Sequence, residues 1–238
     1  MRIRALFFDV FGTLVNWRPA IARAYVSVSP MSVTEAQAFA FADAWRAAYF
    51  EAIERVRLGQ EPWRVLDIVH AEILPAVLSS VGSPVLSREA QAVLVAAWDR
   101  LDPWPDAPAA LSELRTNYIV APVSNASFRQ MIAISRHAGF VWDVILGAQV
   151  ARQFKTHPSV YLESAAAIAL SPADCMLVAA HNADLAGARA VGMRTAFVAR
   201  PTEYGPAQKQ DLCADSSCDF AAADLRELAA LLAVAGHS

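Results

Sequence analysis

Residues 5–14 read Ala-Leu-Phe-Phe-Asp-Val-Phe-Gly-Thr-Leu, and this stretch decides the fold. Ala5 to Phe8 are apolar without alternation, the pattern of a strand buried on both faces of a parallel sheet. Asp9 closes the run and Gly12-Thr13 follow at once, so the strand delivers a carboxylate at its C-terminal end. In open α/β sheets, ligands bind in the crevice outside those ends. Asp9 is therefore the first candidate for chemistry.

Beyond Val15 the apolar spacing becomes helical. Ser32 and Glu35 have capping-box spacing, and Ala42, Trp45, Tyr49 and Ile53 form a stripe before Gly59 ends the helix. A second helix is expected to carry Trp63, Leu66, His70, Ile73 and Val77, and a third to open at Ser87 and carry Leu94, Trp98 and Leu101. Residues 16–101 thus predict an all-helical insert. Pro103 and Pro105 interrupt helical geometry between Asp102 and Asp106, which places the boundary there. Strand and helix then alternate. Strands are expected at Tyr118 to Val123, near Val144 to Leu146, at Cys175 to Ala180 and near Thr195 to Ala199, and helices from about Ser127, from Pro158 and through Ala188. A last strand and helix follow Cys218. This rhythm predicts an α/β fold, a doubly wound parallel sheet formed by residues 1–15 and 102–238 around the insert.

Composition narrows the function. The chain has 238 residues, 56% of them hydrophobic, with mean hydropathy +0.32, which supplies a large core and excludes disorder. Twenty basic and 23 acidic residues leave a net charge of −3, no field for a polyanion, so nucleic acid is not the expected partner. No run approaches the ~18 apolar residues of a membrane span. Met1, Arg2 and Arg4 lead into the first strand without a signal-like apolar region, and the three cysteines do not form a disulfide framework. A cytoplasmic location is expected. The chain has only two lysines, Lys155 and Lys209, so a lysine at the ligand-binding edge is conspicuous.

Four strand ends carry polar groups: Asp9 with Thr13, Ser124 with Asn125, Lys155 before a helix, and His181, Asn182 and Asp184 after Ala180. Such convergence is an active-site layout. The segments Phe8-Asp9-Val10-Phe11-Gly12-Thr13-Leu14 and Val123-Ser124-Asn125, together with Lys155 and Asp184, resemble the four motifs of the haloacid dehalogenase superfamily. Within it, Trp45-Arg46, Trp104-Pro105-Asp106-Ala107 and the span from Lys155 to Tyr161 most resemble the (S)-2-haloacid dehalogenases. The resemblance implies a Rossmann-like core with a helical cap after the first strand, and caps that often join homodimers.

Departures from the phosphatases of that superfamily carry information. Where they place a second acid, to protonate a leaving alkoxide, this chain has Phe11; where they hold magnesium with an acid four residues before the last aspartate, it has Ala180. A hard divalent cation needs several oxygen ligands. A site without metal or cofactor is therefore expected, suited to a small monoanionic haloacid whose halide leaves unprotonated.

The resemblance implies that Asp9 attacks C2 to form an aspartyl ester, inverting the carbon, and that water then releases the 2-hydroxy acid. Lys155 is expected to keep Asp9 ionised. Thr13, Ser124 and the backbone N–H groups of Val10 and Phe11 would hold the carboxylates of nucleophile and substrate, and Arg46 and Asn125 would receive the halide ion. Tyr161 would orient Lys155 or the substrate. The last motif, Ala179-Ala180-His181-Asn182-Ala183-Asp184, departs from the Ser-Ser-Asn-x-x-Asp of the similar enzymes. Asp184 matches the residue credited with the hydrolytic water, and His181, in place of an asparagine, could share that role as a base.

Plainer readings stand beside these. Arg46 could pair with Asp43, Ser124 and Asn125 could cap a helix, Tyr161 could be packing, and Trp17, Trp45, Trp63 and Trp104 read as core or as walls of a halide pocket. His70, His137 and His237 read as structural, and Cys213 and Cys218 make no zinc site. Two further functions remain open: another cation-independent hydrolase acting on a small carboxylate, or an idle relative that binds a small acid. The preferred halogen is not legible.

Overall fold

A computed structural model describes residues 3–235; Met1, Arg2 and His237 lie outside the described residues. The chain runs β1 (Ala5–Phe8), α1 (Trp17–Val28), α2 (Glu35–Arg57), α3 (Leu66–Ser80), α4 (Arg88–Ala97), α5 (Ala107–Leu114), β2 (Ile119–Ser124), α6 (Phe128–Ala138), β3 (Leu146–Gly147), α7 (Ala148–Ala151), α8 (Pro158–Ala167), β4 (Cys175–Ala179), α9 (Asn182–Ala190), β5 (Arg194–Val198), β6 (Phe220–Ala222) and α10 (Leu225–Ala235). The strands form one sheet in the order β3-β2-β1-β4-β5-β6, each neighbouring pair parallel. The chain reverses its direction of progress across the sheet between β1 and β4, the switch point where doubly wound sheets open a ligand crevice.

The apolar run of β1 is buried on both sides because its residues serve two cores. Leu6 and Phe8 face a large cluster, and Ala5 and Phe7 face a second one with Val160, Tyr161, Leu177 and Leu185 beneath α8 and α9. The larger cluster continues from the sheet into the inserted helices through Phe11, Trp17, Trp45 and Trp98. Trp98 stacks on Trp17 with ring centroids 6.1 Å apart and meets Trp45 edge-on at 5.5 Å. The lengths of chain that enter and leave the insert lie side by side, Asn16 N donating to Asp102 O at 2.8 Å and Trp104 N to Leu14 O at 2.9 Å. Farther out, Arg129 of α6 donates to Asp67 of α3 and to Asp99, tying the insert to the sheet layer across exposed surface.

Several boundaries differ from the sequence expectation. The capping box of α2 is formed by Thr34 and Gln37, not Ser32 and Glu35, since Gln37 sits at the third helical position where its amide reaches back to the Thr34 N–H. Trp63 precedes α3, and Leu101 lies beyond the end of α4, which Trp98 caps. Helix α5 was not foreseen. The two prolines upstream hid its start, and Asp106, at its N-cap position, turns its side chain elsewhere.

Asp106 instead receives Arg200 in a buried two-point contact, Nη1 and Nη2 donating to its oxygens at 2.9 and 2.8 Å. Arg200 Nε donates to Thr13 O at 2.9 Å, and Leu225 N to Asp106 Oδ2 at 2.8 Å. One ion pair thereby fixes the turn after β1, the loop after β5 and the start of α10. Removing one member strands the other, at a cost of about 3–5 kcal/mol. Asp106→Ala is therefore expected to lower the free energy of unfolding in urea by about that amount, whereas a loss below ~1 kcal/mol would show that the pair holds nothing together.

Candidate active site

Three strand ends and the loop after α7 meet at the switch point. Asp9 follows β1, Ser124 ends β2 with Asn125 after it, Lys155 follows α7, and His181 to Asp184 follow β4. Thr13 Oγ1 donates to Asp9 Oδ2 at 2.7 Å and accepts from Ala180 N at 2.9 Å, linking two adjacent strand ends through one hydroxyl. Val10 and Phe11 form the turn immediately after Asp9, closed by Leu14 N donating to Val10 O at 2.9 Å.

Lys155 Nζ donates to Asp9 Oδ1 at 2.8 Å and to Val123 O at 2.9 Å, and lies 2.5 Å from Asp184 Oδ2. His181 Nδ1 lies 3.1 Å from Asp9 Oδ2, and its Nε2 lies 2.9 Å from Glu203 Oε2. Both ring nitrogens thus face carboxylates. An ionised carboxylate only accepts, so both nitrogens carry protons and the ring is an imidazolium.

Burial pushes the Asp9 carboxyl up, but the Lys155 ammonium and His181 hold it well below the usual range. Burial would lower Lys155, yet Asp184 and Asp9 keep it above its ordinary value. Burial lowers His181 too, and Glu203 and Asp9 more than reverse this, leaving it well above an ordinary histidine. Asp184 is raised, chiefly by its own burial, with Lys155 opposing. In the resting site Asp9 is accordingly held as an anion between two protein cations.

The remaining expected residues divide. Arg46 of α2 is buried among rings, its guanidinium carbon 4.6 Å from the Phe50 centroid, 4.8 Å from Tyr49 and 5.4 Å from Trp17. Asp43 is engaged by Arg18 instead, at 2.6 Å, and Arg46 Nε has no hydrogen-bond partner among the described residues. A desolvated cation with an unspent N–H is suited to an anion. Asn125 Oδ1 accepts from Lys155 N at 2.8 Å, and its Nδ2 donates to Tyr49 Oη of α2 at 2.6 Å. Ser124 Oγ accepts from Ala126 N at 3.2 Å.

Two placements correct the sequence reading. Tyr161 donates to Asp184 Oδ1 at 2.5 Å, so it orients the partner of Lys155 rather than Lys155 itself. Gly187 leaves it room, since a Cβ there would fall 2.8 Å from Tyr161 Oη. Asn182 is not among these groups. Its Nδ2 donates to Asp211 Oδ1 at 3.0 Å and to Cys213 O at 2.9 Å, and its Oδ1 accepts from Asp215 N, which spends the amide on a loop.

Glu203 and Tyr49 were missed. Tyr49 was legible only as one member of an apolar stripe, and Glu203 lies in an irregular loop with no motif to mark it. His70, read as structural, stacks on Trp98 at 4.3 Å, and burial together with Arg46 pushes it down to about 3. His137 faces Asp102 at 3.0 Å.

The donor set does not fit a divalent metal. Lys155 and His181 occupy the oxygens of Asp9, Phe11 stands in place of a second acid, and Ala180 stands where a third carboxylate would be needed. No cluster of three or more His, Cys, Asp or Glu able to hold a metal occurs among the described residues.

Residues 3–192 match the family of haloacid dehalogenase-like hydrolases. An (S)-2-haloacid dehalogenase of Xanthobacter autotrophicus is 27% identical over 217 residues, 87% of this chain and 79% of that protein. A solved L-2-haloacid dehalogenase is 40% identical, with TM-score 0.91 over 98% of this chain and 99% of its own. A solved defluorinating L-2-haloacid dehalogenase is 39% identical, with TM-score 0.92 over 97% of this chain and 95% of its own.

Lys155→Met removes the cation between Asp9 and Asp184 and is expected to cost about 3–5 kcal/mol near pH 7.5. In the wild type the depressed Asp9 contributes stability above the ordinary carboxylate range, lost only as pH falls through its low folded value. In the variant, burial and mutual repulsion raise the orphaned carboxyls, so protonation relieves them and the deficit shrinks as pH falls. Urea denaturation at about pH 4.5 and 7.5 measures this, and an equal deficit at both would refute the pairing.

Proposed function

The chain belongs to the haloacid dehalogenase-like hydrolases, and on that footing we propose that it hydrolyses small (S)-2-haloalkanoic acids to 2-hydroxy acids through an aspartyl ester on Asp9, without a metal ion. One observation carries the reading: a buried carboxylate held as an anion by Lys155 and His181, with Phe11 where a leaving-group acid would stand. Such a carboxylate displaces a group that departs without a proton, and halide is that kind of group. The solved relatives at 40% and 39% identity are both L-2-haloacid dehalogenases, one of them defluorinating, which supports the substrate class.

In the first step Asp9 attacks C2 opposite the carbon–halogen bond. Thr13 and Lys155 hold its two oxygens, so the attacking carboxylate is oriented before substrate arrives. Ser124 and the N–H groups of Val10 and Phe11 border the place for the substrate carboxylate. The departing halide is received by Arg46, whose Nε is unspent, and by the second Nδ2 hydrogen of Asn125. Fixed donors facing developing charge are worth about 3–4 kcal/mol each in such steps. Water then cleaves the ester carbonyl and restores Asp9.

Charge composition gives no support to a nucleic-acid partner, and no helix among the described residues is long and apolar enough to cross a membrane. The three cysteines are free thiols, which fits a reducing cytoplasm, and exposed Val26, Phe50 and Ile68 on the helices of the insert suit pairing with a second copy.

The test is halide release from chloroacetate and (S)-2-chloropropanoate with EDTA present. Full turnover is expected, with Asp9→Asn lowering it by on the order of 10⁴–10⁶-fold. A single turnover in water enriched in heavy oxygen should place label in residue 9. Turnover of phosphate esters that requires added magnesium would falsify the proposal.

A further inference from the structure

One buried carboxylate has no part in the reaction as drawn. Glu203, in the loop after β5, is 1% exposed and has both oxygens engaged. Its Oε1 accepts from Trp17 Nε1 at 2.8 Å and its Oε2 from His181 Nε2 at 2.9 Å. It lies directly over the turn after β1. A Cβ on Gly12, at φ +87°, would fall 2.1 Å from Glu203 Oε1, so this turn is bare of a side chain where the carboxylate passes. A desolvated carboxylate is costly unless paired, and its partner is the ring whose other nitrogen faces the nucleophile.

We propose that Glu203 is the positioning residue of a dyad in which His181 is the general base for hydrolysis of the Asp9 ester, a base released by esterification itself. The inference rests on the reading that Asp9 forms that ester. In the resting site Nδ1–H donates to Asp9 Oδ2, so His181 has no lone pair to offer water. Esterification makes Asp9 neutral as the halide leaves. The ring then loses one of the two anions that held its second proton, while Glu203 keeps Nε2–H in place. Nδ1 gives its proton to solvent, which is the one proton that conversion of a carbon–halogen bond to an alcohol and a halide ion must release.

The freed Nδ1 lone pair next takes a proton from water as the water oxygen bonds to the Asp9 carbonyl carbon. The adduct expels the product alkoxide, which takes the proton of the new carboxyl group. The 2-hydroxy acid departs, and the Asp9 carboxylate and the His181 imidazolium are both restored. Asp184 is less suited to this task, because its oxygens already face Lys155 Nζ and Tyr161 Oη at 2.5 Å each. The charged and titratable groups around the ring are Asp9 with Lys155 and Asp184 behind it, and Glu203 with Arg46 and Tyr204 beyond it. Of these, only Asp9 changes charge during the cycle. Burial works against the imidazolium and Glu203 and Asp9 sustain it, so removing the Asp9 charge drives the ring toward neutrality.

Rapid-quench kinetics with (S)-2-chloropropanoate, with intact-protein mass, separates the two steps. For Glu203→Gln we expect a burst of one halide per site within about 3-fold of the wild-type rate, turnover lower by about 10–100-fold, and accumulation of the ester on the peptide containing residue 9. Glu203→Asp should recover part of the turnover, and His181→Asn should accumulate more ester and flatten the pH dependence of its hydrolysis. If Glu203→Gln does not fold, Trp17→Phe, which frees Oε1, should give the same split on a smaller scale. Burst and turnover falling together without ester, or turnover unchanged in Glu203→Gln, would overturn the dyad. Absence of any halide release by the wild-type protein would instead overturn the haloacid reading beneath it.

Discussion

Five charges of alternating sign run along the edge of the sheet: Glu203, His181, Asp9, Lys155 and Asp184. Each neighbouring pair lies between 2.5 and 3.1 Å apart. The four carboxylate and ammonium members are buried, and none could stay ionised alone, since an isolated charge in a protein interior neutralises instead. Alternation is what lets the interior keep them. It also concentrates the consequence of any change on its centre, because Asp9 has a cation on each side. A reaction that cancels the charge of Asp9 leaves both cations with one anion fewer, and that is the moment at which water must be activated.

The sheet exists to hold this row. β1, β2 and β4 end side by side, and the cross-links between their ends are polar: Thr13 to Ala180, Lys155 to Val123 and to Asn125. The apolar parts of the same strands bury into two separate cores, so polar ends and packed middles do not compete. From the other side, the inserted helices supply Arg46, Tyr49 and Trp17. All three belong to the larger core or touch it, so insert and sheet share one packed interior rather than two surfaces in contact. Site geometry and core packing are thus one constraint.

Much of this was legible in the chain. The apolar run ending on Asp9, the strand and helix rhythm beyond residue 106, and the scarcity of lysine led to Asp9, Thr13, Lys155 and Asp184, which the structure brings together. What was illegible shares a physical cause. Glu203 acts through two long-range hydrogen bonds from a loop without periodicity, and Tyr49 acts through a hydroxyl that its apolar stripe conceals. Asn182 fails for the complementary reason: it stands inside the motif but at the first turn of α9, where its amide serves the loop at 211–215. The shift of the α2 capping box to Thr34 and Gln37 shows that capping chemistry is local enough to read but not to register within two residues.

The parallel sheet also governs how the chain comes into being. Ala5 is paired with Ile119 on one side and Cys175 on the other, so the strand made earliest has no partner until over a hundred further residues exist. At a synthesis rate of about 5–20 residues per second, that is a wait of roughly 6–23 s. Throughout it Leu6, Phe7 and Phe8 form an unpaired apolar edge, and the helices of the insert emerge in the meantime with nothing but their own faces to cover. Nascent chains of this topology therefore carry an aggregation-prone edge until its neighbours are made, and the carboxylate on which the finished enzyme turns sits at the tip of that segment.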